Sequence, residues 1–137
     1  MPDRRIPVFF YGLFMDLDAL RSKGVHPTFP RPAAVAGYTI RIGHRATLLP
    51  ESRSSVHGLL VDLTHAEIEL LYAAPGLEAY RPEAVVAAVA GGPLVPALCF
   101  NLVTPPSADE ANAEYAAKLR DLANRLALPP EYVERIR

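Results

Sequence analysis

Val8-Phe9-Phe10-Tyr11-Gly12-Leu13-Phe14-Met15, followed by Asp16, is the stretch on which the reading of this chain turns. Aromatic and β-branched residues run there without a break, the pattern of a short buried strand. Gly12 permits a sharp turn that a residue with a Cβ resists. Asp16 can cap a short helix through Leu17, Ala19 and Leu20. A strand running into a turn and then a helix start leaves several backbone N–H groups unpaired and pointing one way. Such groups form a seat for a carboxylate or another small anion. One Tyr-Gly turn is a weak motif, and the same residues also read as a core strand with a tight turn.

Around this stretch, composition narrows the field. A chain of 137 residues, half of them hydrophobic, suits one domain spanning 1–137 with a real core. The net charge of −1 comes with no basic stripe, which argues against nucleic acid or an anionic membrane as partner. Cys99 is the only cysteine and sits in an apolar run. That excludes a disulfide framework, fits a reducing cytoplasm, and marks Cys99 as a small buried hydrophobe rather than a nucleophile. Arg4 and Arg5 before an apolar run imitate a signal peptide, but the run is short and ends at Asp16 and Asp18. No segment approaches membrane-spanning length.

Further along, Gly24 to Pro32 reads as a loop and Ala33 to Ile42 as a strand. Gly43 to Ser55 reads as irregular, and Ser54 to Leu63 as the clearest strand. Gly58 inside that strand signals a bulge or a close approach by another group. Thr64-His65-Ala66-Glu67 is a capping box opening a helix that stops before Pro75-Gly76. Residues 80–89 and 95–103 read as a hairpin about Gly91-Gly92. Ser107-Ala108-Asp109-Glu110 reads as a second capping box, before the longest helix. On that helix Ala111, Tyr115, Leu119, Leu122 and Leu126 form one apolar stripe. The order of elements predicts an α+β arrangement around a mostly non-parallel sheet, open or closed.

Taken together, several of these segments resemble the γ-glutamylcyclotransferase superfamily. Phe10-Tyr11-Gly12 stands at the family's Tyr-Gly turn. Gly37-Tyr38-Thr39-Ile40-Arg41 and Ser54 to Leu63 are similar to its second and central strands. Tyr80-Arg81-Pro82-Glu83 and Ala97-Leu98-Cys99-Phe100 look like the next two. Leu128-Pro129-Pro130-Glu131-Tyr132 matches its closing tail. The resemblance implies a small mixed, closed β-barrel with helices packed outside and a pocket at one end. It also implies cleavage of γ-glutamyl bonds by attack of the substrate's own α-amino group on its γ-carbonyl, releasing 5-oxoproline. That activity is of acyltransferase or lyase type and needs no metal or cofactor. Such chemistry requires an anion seat, a folded glutamyl chain and one carboxylate to move a proton.

On the resemblance, that carboxylate belongs to a glutamate directly before Gly76, and here the residue is Pro75. The Ser or Thr usual after Gly12 is Leu13. Glu78, three residues on, is the candidate to replace the missing base, although it reads more readily as a solvated loop residue. Tyr11, Gly12, Leu13, Phe14 and Tyr115 are the candidate substrate contacts. Tyr11 and Tyr115 also read as core tyrosines. His44 and His57 are the histidines nearest the strands of the expected pocket and read as structural or surface residues, and the four histidines show no metal-ligand spacing. Two readings follow. One is a γ-glutamylcyclotransferase-like enzyme acting on a small γ-glutamyl or carboxylate compound. The other is a non-catalytic small-ligand or protein-binding module on the same fold. Either is expected as a monomer or homodimer.

Overall fold

The computed structural model describes residues 4–136. Five strands, β1 (Arg5–Phe10), β2 (Thr28–Ile42), β3 (Ala46–Thr64), β4 (Tyr80–Val89) and β5 (Leu94–Leu102), close into a barrel in the order β1-β3-β2-β4-β5. All neighbours are antiparallel except β5 and β1, which run parallel and meet at Val8 and Leu98. Four helices accompany the barrel: α1 (Leu17–Ser22), α2 (His65–Tyr72), α3 (Ala113–Arg125) and α4 (Pro130–Glu134).

The opening stretch divides as its chemistry suggests. Val8, Phe9 and Phe10 are buried in β1, and Leu13–Met15 form one turn of 3-10 helix. Asp16 then caps α1, its side chain accepting from the Ala19 N–H at 3.2 Å. β1 and β3 pair from Arg5 with Thr64 to Phe10 with Leu59. A Cβ at Gly58 would collide with the Phe10 carbonyl oxygen and the Phe9 ring. A close approach, rather than a bulge, therefore accounts for glycine in that strand.

Two segments differ from the sequence reading. β2 begins at Thr28, inside the expected loop, and β3 begins at Ala46, inside the expected irregular segment. Prolines and polar residues give these stretches weak strand signals. Pairing between two long strands outweighs that local preference. The irregularity survives as register shifts. At Gly37, with φ of 87°, the pairing moves from Ala36–Ser55 to Tyr38–Pro50. What remains between β2 and β3 is the short turn Gly43-His44-Arg45, closed by the Gly43 N–H donating to the Arg45 carbonyl at 3.0 Å.

The capping box at Thr64 forms in full. The Glu67 N–H donates to the Thr64 hydroxyl, and the Thr64 N–H donates to the Glu67 carboxylate. The second box does not open α3. That helix starts at Ala113, capped by Asn112, whose Oδ1 accepts from the Tyr115 N–H at 3.1 Å. Ser107 and Glu110 instead hold a turn, in which Glu110 Oε2 accepts from the Ser107 N–H at 3.1 Å. The reason is tertiary. Glu110 Oε1 also accepts from the His44 N–H at 3.3 Å, and Asn112 Nδ2 donates to the Gly43 carbonyl at 3.1 Å. Both residues brace the β2–β3 turn. α3 buries Ala116, Leu119, Leu122 and Ala123, with Tyr115 half-buried beside them. Among the described residues no helix is long and apolar enough to cross a membrane.

Candidate functional site

At the end of β1 a cavity of about 170 Å³ lies over the Tyr11-Gly12 turn. Tyr11, Gly12, Leu13, Phe14 and Tyr115, the residues singled out from sequence, all line it. The turn is tight because Gly12 and Tyr115 share one space. A Cβ on Gly12 would stand 2.6 Å from the Tyr115 hydroxyl. That hydroxyl accepts from the Leu13 N–H at 3.3 Å, which leaves its own proton free to donate into the cavity. The Phe14 N–H donates to no group among the described residues.

Tyr11 forms part of the wall with its ring and anchors it with its hydroxyl. The hydroxyl donates to the Phe100 carbonyl at 2.7 Å and lies 3.1 Å from Asn101 Oδ1. Asn101 Oδ1 also accepts from the Leu48 N–H at 3.2 Å. Burial pushes the Tyr11 hydroxyl far above its ordinary pKa, so it is a fixed donor rather than a proton carrier. Tyr80 is held in the same manner. Its hydroxyl donates to the Ala46 carbonyl at 2.6 Å, and burial raises it to about 12.

The sequence reading missed Arg45, Tyr72, Tyr80 and Phe100, all of which line the cavity. Tyr72 stacks on Phe100, with ring centroids 3.9 Å apart. Its hydroxyl makes no hydrogen bond among the described residues, and burial raises its pKa well above the ordinary value. Tyr72 and Tyr80 flank the Pro75-Gly76 loop that the resemblance assigns to the pocket, and that placement is the signal by which they could have been found. Arg45 carried no such signal, because it lay in a segment that reads as irregular.

Ionisable groups are distributed unevenly here. His44 and Arg45 line the cavity, and no aspartate or glutamate does. Pro75 is exposed and outside the lining, as is Glu78. The Glu78 carboxyl is held below its ordinary range by the backbone N–H groups of Glu78 and Gly76, with Arg45 contributing. A carboxylate so stabilised is a weak proton acceptor. His57 packs against Tyr132 instead, with ring centroids 5.1 Å apart, and burial lowers its pKa. Cys99 is fully buried, and burial followed by the Glu83 charge raises its thiol to about 12, far from nucleophilic range. No cluster of three or more His, Cys, Asp or Glu able to hold a metal occurs among the described residues.

Solved structures place this architecture. A structure described as a gamma-glutamyl cyclotransferase superposes with a TM-score of 0.80 over 97% of this chain and 86% of that one, at 16% identity. The chain has the γ-glutamylcyclotransferase-like fold. YkqA from Bacillus subtilis shares it at 25% identity, with a TM-score of 0.79 over 96% of this chain. The present chain spans 52% of the length of YkqA. An uncharacterized Homo sapiens protein, loc79017, also shares the γ-glutamylcyclotransferase-like fold, at 18% identity and a TM-score of 0.78, over 96% of this chain and 86% of that one. No protein-family model matches the sequence, and no curated protein matches it.

Proposed function

We propose that this protein binds a small carboxylate compound in the cavity over the Tyr11-Gly12 turn. On the same reading it does not form 5-oxoproline by the glutamate-dependent route. The observation that carries this is the lining itself: aromatic walls, hydrogen-bond donors and a guanidinium, with no carboxylate among them. Gly12, Leu13 and Phe14 supply the backbone of the turn, and Tyr11 and Tyr115 supply the wall and a free hydroxyl proton. Closing a γ-glutamyl chain into 5-oxoproline needs a base to take a proton from the α-ammonium and return one to the leaving amine. Tyr11 and Tyr80 hold their protons too tightly for that task.

The test pairs a coupled 5-oxoproline assay with thermal melting. The panel covers γ-glutamyl amines, γ-glutamyl dipeptides, glutathione and simple carboxylates. We expect at least one carboxylate to raise the melting temperature, as a ligand of the folded state must, with no 5-oxoproline formed. Rapid 5-oxoproline formation that disappears in Glu78→Gln overturns this reading and identifies Glu78 as a replacement base. Absence of stabilisation by every compound also overturns it.

A further inference from the structure

The charge pattern of the cavity specifies its ligand more narrowly than the fold does. Arg45 sits at the end of a turn braced on two sides, by Asn112 at the Gly43 carbonyl and by Glu110 at the His44 N–H. Its guanidinium lies against Gly76, where any Cβ would collide with it. The exposed Arg45 side chain thus brings a cation against the backbone directly after Pro75, beside the position that the resemblance assigns to an acid. Arg45 forms no salt bridge among the described residues, and no side-chain hydrogen bond claims its guanidinium there. Glu78, the acid whose charge it feels, stays exposed and outside the lining. Glu110 is occupied with the Ser107 and His44 N–H groups.

Besides the anchored Tyr11 and Tyr80, the other polar side chains in the lining are the exposed His44 and the Tyr115 and Tyr72 hydroxyls, whose protons are free to donate and whose oxygens carry no charge. A cavity of about 170 Å³ is close to the roughly 150 Å³ that accepts one benzene-sized ring. A guanidinium fork matches a planar carboxylate. An α-ammonium, by contrast, would find a like charge at Arg45 and no carboxylate to pair with.

We infer that the cavity selects a compact, unsaturated organic monocarboxylate with no amino group, its ring among the Phe and Tyr side chains and its carboxylate on Arg45. This rests on the ligand-binding reading above and narrows it: α-amino acids and γ-glutamyl compounds become the disfavoured ligands. Discrimination comes from the unpaired guanidinium, because a neutral ring would meet the same walls.

Four ring probes of similar size test this by calorimetry and amide NMR shifts: phenylacetate, benzyl alcohol, phenethylamine and phenylalanine. Phenylacetate should bind about tenfold tighter than benzyl alcohol and phenylalanine, the ratio expected from one charge-assisted hydrogen-bonded contact, and phenethylamine weakest. Arg45→Gln should erase the advantage of phenylacetate over benzyl alcohol, read as the ratio of the two affinities within that variant. Arg45→Lys should keep part of the advantage. Equal binding of phenylacetate and phenylalanine overturns the inference and leaves the ligand-binding reading standing. So does an unaltered ratio in Arg45→Gln. If no probe binds and no carboxylate stabilises the protein, both fall together.

Discussion

Glu67 and Arg45 mark the two ends of β1, and the fold treats them in opposite ways. At the Arg5 end, Glu67 is surrounded by partners. Its Oε1 accepts from the Thr64 N–H at 2.9 Å and lies 3.4 Å from Arg5 Nη1, and its Oε2 accepts from the His26 N–H at 2.6 Å. Burial alone would raise its pKa, but the Thr64 and His26 N–H groups, the Thr64 hydroxyl and Arg5 outweigh that and lower it. At the Phe10 end, Arg45 lines an open cavity and pairs with nothing among the described residues. A charge whose bonds are all made inside the chain joins elements of structure. Arg45 is exposed and solvated, with only the Glu78 charge acting on it, so its guanidinium stays available to a carboxylate in the cavity that it lines.

Three substitutions test that contrast. The largest effect belongs to Gly58→Ala, which touches neither charge but drives a methyl group into the Phe10 carbonyl and the Phe9 ring, under the cavity. Denaturant titration should show a loss of about 3 kcal/mol, and the ligand site should weaken with it. A near-neutral result would mean that β1 and β3 can separate, and the tight wall of the cavity would lose its basis.

Glu67→Ala comes next. It strips acceptors from two backbone donors and removes a helix cap, at a cost of about 2 kcal/mol near pH 7. The folded state holds this carboxyl below its ordinary range. Its contribution is therefore complete above the unfolded value of about 4.3 and is lost as pH falls through the lower folded value. The stability gap between wild type and Glu67→Ala should narrow correspondingly below about pH 4. A gap that is flat with pH would show that the charge of Glu67 contributes nothing beyond its shape.

Arg45→Gln is the smallest. With no partner to lose, thermal melting of the unliganded protein should change by less than about 0.5 kcal/mol. A large loss would place Arg45 among the structural charges alongside Glu67 and dissolve the contrast.

Much of the fold was legible from local pattern, and the exceptions share a cause. The Thr64–Glu67 capping box, the Asp16 cap and the hairpin about Gly91-Gly92 each depend on residues within a few positions of one another, and each formed. The Ser107–Glu110 box was chemically sound as well, but its glutamate also serves His44, sixty-six positions away, and the helix begins later. The early stretch of β3 was illegible for the same reason. Its strand character comes from Tyr38–Ile42 opposite it, not from its own Pro50 and the polar residues that follow.

By itself the sequence determined the Tyr11-Gly12 turn, the caps, a proline at position 75 where the resemblance expects a glutamate, and the resemblance that named the fold. Closure of the barrel decided the rest. Only in three dimensions does the Tyr115 hydroxyl fill the space that Gly12 leaves open, and only there does the Arg45 guanidinium rest on Gly76. Secondary structure and capping are set by side chains a turn apart, so they can be read along the chain. The charge of a cavity is a sum over residues from separate elements. It exists only once tertiary packing has chosen which of them face inward.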